Sequence, residues 1–292
     1  MIPRLEILDS VSDPAKPQAE NDDRIGWNES AAFVIDGATG LGDPVMAPPA
    51  SDAAWLAEHA RRFLQAHLTP ERKIGDVVRD LFAGARDAFF AAAGTAEIAR
   101  YRYPNAAFQA LRLTPSGIET AGLADCTLIL RDADGRMLRH RGSRAPRGNE
   151  QQSARRAIAR NRGFDAAGES FRNTETLEDL RRRRDGLNST ADGMWTLGVV
   201  PEAGLHVRIE KLAIRLPAMG VLCTDGFADL VDNYQTCTEA GLIARAETDG
   251  LKVLLDELRH IERVIDPDGA QFPRYKRCDD ASAVLVRLAS AA

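Results

Sequence analysis

Phe33-Val34-Ile35-Asp36-Gly37 reads as an apolar strand that runs straight into an aspartate and then a glycine. The same arrangement returns near the other end of the chain as Val221-Leu222-Cys223-Thr224-Asp225-Gly226. Each strand delivers a carboxylate at its end, beside a residue with no side chain to cover the backbone. A desolvated carboxylate is costly unless it is paired or bound to a metal. No lysine or arginine follows either aspartate within four residues. Asp-Gly after a strand is also ordinary turn chemistry, and one copy alone would signify no more than that. Two copies, with further acids in matching contexts, point to a shared cation.

Those further acids lie outward from the two strands. Asn21-Asp22-Asp23-Arg24 stands just before the first strand, and Asn28-Glu29-Ser30 can turn a hairpin between them. Such a hairpin would bring Asp22 and Asp23 near Asp36. Gly122 to Leu130 is a nearly continuous apolar run with Asp125 inside it. An acid in a buried run is informative, although a bulge could satisfy it through backbone N–H groups. Cys278-Asp279-Asp280 precedes the apolar strand Ala283 to Leu288. The metal-ligand candidates are therefore Asp22, Asp23, Asp36, Asp125, Asp225 and Asp279, with Asp280 beside the last. The five histidines, His59, His67, His140, His206 and His260, are isolated. An all-oxygen set suits magnesium or manganese and argues against zinc. Paired hard cations at bridging carboxylates generate hydroxide near neutral pH and screen charged oxygens, which suits attack on phosphorus. Neither a Walker loop nor a Gly-x-Ser-x-Gly elbow is present.

The remaining sequence bounds the class. The chain has 292 residues, 44% of them hydrophobic and 28% charged, enough for a substantial core. A net charge of -5 is too mild to argue for a nucleic-acid partner. No apolar run is long enough for a membrane span, and the N-terminus lacks a signal-peptide core; a cytoplasmic protein is expected. Cys126, Cys223, Cys237 and Cys278 form no Cys-x-x-Cys pair and read as small buried hydrophobes. Ser51 is a plausible N-cap for a helix carrying Trp55, Leu56, Ala60, Phe63 and Leu64. A cleaner stripe runs from Ile74 to Phe89, and another from Leu251 through Leu258 to Val264. Asp132-Ala133-Asp134-Gly135 is a hairpin turn, and strands are expected over Met194 to Val200 and Leu205 to Leu216. From Arg139 to Arg184 the chain becomes polar and arginine-rich, including Arg155, Arg156, Arg160, Arg162 and Arg181 to Arg184. It lacks the apolar stripe of a core helix and reads as a surface excursion. It is either a solvated flap or a reader of acidic or phosphorylated partners.

Five motifs in this order resemble the PPM (type 2C) metal-dependent serine/threonine phosphatases, in the form of a bacterial-like member. They are Asn21-Asp22-Asp23, Phe33 to Gly37, Ala124-Asp125-Cys126, Cys223 to Phe227, and Cys278 to Ser282. The resemblance covers residues 5 to 289. It implies an α+β fold, a four-layer α-β-β-α sandwich of two antiparallel sheets flanked by helices, as a single domain over residues 1–292. A variable flap would lie at about 141–188. It further implies two Mn2+ or Mg2+ ions at one edge of the sandwich. Asp36 would bridge them and the Gly37 carbonyl would bind one. Asp225 and Asp279 would complete one shell, Asp22 would serve the other, and Asp23 would hold metal-bound water. Asp125 matches a third, weaker site. Asp36, Asp225 and Asp279 would thus be catalytic through metal-bound water, and the substrate would be a phosphorylated protein.

The chain departs from that pattern in three places. Asp22 stands where many members have glutamate. Gln18 stands where a phosphate-binding arginine is expected, leaving Lys16 and Arg24 as the substitutes at hand. Ala38 stands where many animal members carry a histidine proposed as general acid. The expected activity is a phosphomonoesterase for phosphoserine and phosphothreonine in proteins, by attack of a metal-bridging hydroxide. The alternatives are a catalytically weak binding or regulatory relative and a phosphatase of small phosphate esters.

Overall fold

Strand β3 (Ala31–Gly37) is apolar on both faces because it is covered on both. Successive side chains of a strand point to opposite sides. Ala31, Phe33 and Ile35 therefore face a helical layer, while Ala32 and Val34 face a second sheet. The computed structural model describes residues 3–16, 20–46, 51–143, 148–161, 163–170, 173–189 and 194–290.

Around β3 lie β2 (Arg24–Trp27), β4 (Asn105–Thr114), β5 (Gly117–Leu123) and β9 (Arg208–Leu212), in the order β2-β3-β4-β5-β9. The two-residue β8 (Leu197–Gly198) also pairs with β4. The other sheet has the order β1-β11-β10-β6-β7, built from β1 (Pro3–Asp13), β6 (Thr127–Arg131), β7 (Met137–Arg141), β10 (Ala218–Cys223) and β11 (Ala281–Ser290). Every pairing is antiparallel. Between the sheets, Val34, Leu111, Leu128, Leu222, Val284 and Val286 form one core. Helices α1 (Asp52–His67) and α2 (Ile74–Ala93) cover the β3 sheet through Leu56, Ala60, Leu64, Val78, Leu81 and Phe82. Helices α5 (Asp225–Asp232), α6 (Glu239–Thr248) and α7 (Leu251–His260) cover the other through Phe227, Leu230, Leu242, Leu254 and Leu258. The result is the expected four-layer α-β-β-α sandwich. No helix among the described residues is long and apolar enough to cross a membrane.

Local expectations hold where polar and apolar residues alternate cleanly. Ser51 Oγ accepts from Ala54 N at the start of α1. The β2–β3 hairpin turns at Asn28, whose N–H donates to Ala31 O at 2.9 Å. Other expectations need correction. The run from Gly122 to Leu130 is not one strand: β5 ends at Leu123, Ala124 turns with φ +57°, and β6 begins at Thr127 in the other sheet. Asp125 thus sits at a crossover between sheets, not inside a strand. Met194 to Val200 contributes only β8, and Leu205 to Leu216 only β9, because a 3-10 turn from Pro201 to His206 intervenes. Val264 is 63% exposed instead of joining its helical stripe. A π turn over Ile261–Ile265 rotates that face away after α7.

The arginine-rich excursion forms two helices, α3 (Gly148–Asn161) and α4 (Thr174–Gly186). It is not a freely solvated charge run. Ala154 and Ala157 of α3 are buried. Arg181 donates to Leu41 O at 2.8 and 2.9 Å, and Arg184 to Thr39 O at 3.3 Å. The segment is therefore fastened to the loop that follows Asp36-Gly37. Arg162, part of the same cluster, lies outside the described residues.

Candidate metal centre

Alternation along the strands decides where the acids go. Asp36 continues the face of Ala32 and Val34, so β3 places it at the open end of the space between the sheets. On β10 and β11 the same face leads to Thr224 and Ser282. These two are fully buried and close the core with hydroxyls. Thr224 N donates to Ser282 O at 3.0 Å, and Ser282 N donates to Thr224 Oγ1 at 3.0 Å. Thr224 Oγ1 in turn donates to Asp23 Oδ2 at 2.8 Å. Asp225 then opens α5, its carboxylate in the first turn where the helix dipole favours negative charge.

Asp22 and Asp23 arrive through the turn before β2. Arg24 Nη1 bonds the carbonyls of Asn21 and Asp23, and its Nε pairs with Glu58 at 3.2 Å, which fixes that turn against α1. Ser51, the N-cap of α1, donates to Asp22 Oδ1. Gly37 N donates to Asp22 O at 3.2 Å, and a Cβ on Gly37 would stand 2.6 Å from that oxygen. A Cβ on Gly226 would stand 2.2 Å from Asp280 O. Both glycines after the aspartates are thus required by close backbone approach, not by a turn with positive φ. Asp280 ties the ends together: its Oδ2 accepts from Asp22 N at 2.6 Å and its Oδ1 from Ala15 N at 2.8 Å. Arg259 holds the next turn, donating to Asp279 O at 2.8 Å while paired with Asp13 and Glu262.

The electrostatics identify these carboxylates as one group. Asp23, 1% exposed, lies deepest, and Asp279, with its side chain 44% exposed, lies at the rim. Burial raises Asp36 well above the usual carboxylate range, and Asp225, Asp23 and Asp279 add repulsion. Burial likewise raises Asp23, with Asp280 the next contributor and the Thr224 and Ser282 hydroxyls opposing. Asp22 is pushed up to about 6, chiefly by burial, against the Ser51 hydrogen bond and Lys276. Asp279 is raised by burial, with Lys276 opposing and Asp225 and Asp280 adding to it. Cys126, also raised by burial, feels Asp36, Asp125, Asp23 and Asp225 in that order, which places Asp125 beside the same group. Like charges gathered in this way favour a bound cation.

The residues present fit divalent metal. Asp23 Oδ1 is buried without a hydrogen-bond partner, and the donors at hand are carboxylate and carbonyl oxygens. Among the described residues, no three His, Cys, Asp or Glu side chains already stand close enough to hold one ion.

Sequence reading missed several participants. Ser51, Thr224, Ser282 and Arg259 act through hydrogen bonds that only the tertiary fold creates. Lys276 donates from Nζ to Asp279 Oδ1 at 2.6 Å. Arg184 lines a small cavity with Ala38, Ala53 and Tyr101, and burial pushes its guanidinium down to about 10. Of the two proposed phosphate-binding cations, Arg24 is engaged as described, and Lys16 pairs with Glu169 of the excursion at 2.9 Å. Gln18, where the arginine was expected, lies outside the described residues.

No protein-family model and no curated protein matches the sequence. Solved structures match in shape. The PPM Ser-Thr phosphatase MsPP from Mycobacterium smegmatis is 14% identical, covering 97% of this chain and 99% of that one, with a TM-score of 0.53. The catalytic domain of the serine/threonine protein phosphatase PstP, in complex with two manganese ions, is 12% identical over 99% of this chain and 100% of its own, with a TM-score of 0.53. The S. agalactiae serine/threonine phosphatase is 12% identical over 97% and 98%, with a TM-score of 0.52. Over essentially its whole length, the chain has the fold of the PPM-type serine/threonine phosphatases.

Proposed function

We propose that this chain is a metal-dependent phosphomonoesterase of the PPM family that removes phosphate from phosphoserine and phosphothreonine in proteins. The observation that carries the reading is the aspartate group at the open end of the sandwich, in which Asp22, Asp23, Asp36 and Asp279 are each repelled by neighbouring aspartates. The whole chain would act as one catalytic domain, with residues 141–188 as its flap.

Asp36, Asp225, Asp279 and Asp22 would hold the metal ions, and the Gly37 carbonyl would bind one of them. The complex of PstP with two manganese ions supports manganese and a count of two, an all-oxygen set suits magnesium as well, and Asp125 is the natural ligand for a third ion. Divalent ions bound there would supply a nucleophilic hydroxide near neutral pH and would screen the phosphoryl oxygens. The chain's own work is positional. Thr224 and Ser282 fix the Asp23 carboxylate, which can then orient water and accept a proton. Ser51 directs Asp22, and Arg259 and the Asp280 network fix the turn carrying Asp279. Ala38 offers no proton, so the leaving alkoxide would take its proton from water. A cytoplasmic setting and phosphoprotein partners follow from this reading. Hydrolysis of a phosphothreonine peptide and of p-nitrophenyl phosphate, each with Mn2+ and with excess chelator, tests it. Metal-dependent release from the peptide supports a protein phosphatase. Release from the aryl ester alone would point to small phosphate esters, and none from either to a binding protein.

A further inference from the structure

Lys276 stands inside the acid group. Its Nζ donates to Asp279 Oδ1 at 2.6 Å, and its side chain is only 21% exposed. The backbone on either side is pinned. Glu169 and Lys276 form an antiparallel bridge, Ser170 N donates to Tyr275 O at 2.8 Å, and Arg277 N to Gly168 O at 2.7 Å. The Arg274 guanidinium bonds Arg277 O at 2.9 Å. From that pinned backbone the four-carbon stem carries the ammonium to Asp279. Asp280, whose oxygens accept the N–H groups of Ala15 and Asp22, adds its charge to the attraction that holds the ammonium there.

Resting on the metal-centre reading, we propose that Lys276 is a tethered cation that competes with metal for Asp279, so that one of the two metal positions loads weakly in this chain. Lys276 Nζ at 2.6 Å and Asp280 N at 2.9 Å together occupy Asp279 Oδ1, which leaves Oδ2 as the oxygen for a metal ion. A divalent ion brought to the other oxygen meets a unit positive charge already held by the same carboxylate, where repulsion is poorly screened. The lysine therefore opposes loading of that position while it stays, and loading is eased when it leaves. The bridge to Glu169 makes this departure sensitive to how the excursion is seated, since the same three residues, Gly168 to Ser170, hold Lys276 in place.

Mn2+ binding to the full chain, read by isothermal titration calorimetry and by the electron paramagnetic resonance of free Mn2+, tests this without recourse to activity. Lys276→Met should tighten the weaker Mn2+ by about tenfold, equivalent to about 1.4 kcal/mol. Lys276→Arg, which keeps the charge and the reach, should stay near wild type. Lys16→Met controls for a general field effect, since Lys16 is a nearby cation paired with Glu169 outside the cluster. Lys276→Gln provides a second neutral variant should the methionine variant misfold. Isotherms of Lys276→Met and Lys276→Gln that superimpose on wild type would overturn the proposal, as would equal tightening by Lys16→Met. A wild-type chain that binds no Mn2+ would overturn the metal-centre reading itself.

Discussion

Asp36→Asn separates the metal's contribution from the fold's more sharply than any other change. Asp36 faces Asp225, Asp23 and Asp279 and is in hydrogen-bond contact with Asp225. Two unit charges 4 Å apart interact by about 4 kcal/mol at an effective dielectric of ~20. Solvent at the open cleft and partial protonation reduce what survives at neutral pH to about 1–2 kcal/mol. The asparagine amide keeps a donor for Asp225 and removes the charge. Its folded-state pKa being raised, Asp36 binds more protons folded than unfolded. Wild-type stability therefore falls as pH rises from the unfolded carboxylate value toward the folded one. The variant lacks that loss, so its advantage should grow from pH 5 to pH 8. In chelator at pH 8 it should melt higher than wild type by about 2–8 °C, at roughly 2–4 °C per kcal/mol. With Mn2+ the order should invert, because wild type gains binding energy that the variant cannot. Differential scanning calorimetry at both pH values, with and without Mn2+, reads all four states. A variant less stable than wild type in chelator, or equally stabilised by Mn2+, would refute the reasoning.

Three further outcomes are expected. Gly37→Ala must displace backbone, since its Cβ would stand 2.6 Å from Asp22 O and 3.1 Å from Ala53 O. A loss of about 1–3 kcal/mol in denaturant unfolding should accompany weakened Mn2+ binding, and wild-type values for both would show that the approach is not tight. Thr224→Val removes the donor to Asp23 while keeping shape; leaving that buried carboxylate short of a partner should cost about 1–3 kcal/mol in chelator, measured by urea titration. The double change Arg181→Ala and Arg184→Ala releases the excursion from Thr39 and Leu41. Limited proteolysis should then cut within 148–189 faster at unchanged melting temperature, and an unchanged cleavage rate would show that other contacts hold the segment.

The two acid-bearing strands were legible because sheets covered on both faces write long apolar runs, and an acid follows the runs of β3 and β10; the four-layer arrangement came with the family resemblance of the motifs. The same property hid the break at Ala124: with both β5 and β6 buried, apolar residues flank Asp125 on both sides of the passage from one sheet to the other. Asp125 therefore looked like an exception inside a strand when it belongs to a crossover. The aspartates could be gathered by their strand-end context, whereas their supports could not. Thr224, Ser282 and Arg259 gain their roles from partners dozens to hundreds of residues away. The docking of Arg181 and Arg184 was equally invisible, since their acceptors are backbone carbonyls that carry no sequence signal. Lys276 lies three residues from Asp279, near enough to notice, but its inward direction depends on the bridge to Glu169.

The central claim is that the gathered aspartates hold divalent metal for phosphate-ester hydrolysis. Release of inorganic phosphate from a phosphothreonine peptide, titrated with Mn2+ in the wild type and in Asp225→Asn, tests it most directly. The account predicts release that saturates with Mn2+, stops on adding chelator, returns with excess metal, and falls at least ~100-fold in the variant. Equal release in chelator, or wild-type rates from Asp225→Asn at saturating Mn2+, would contradict it.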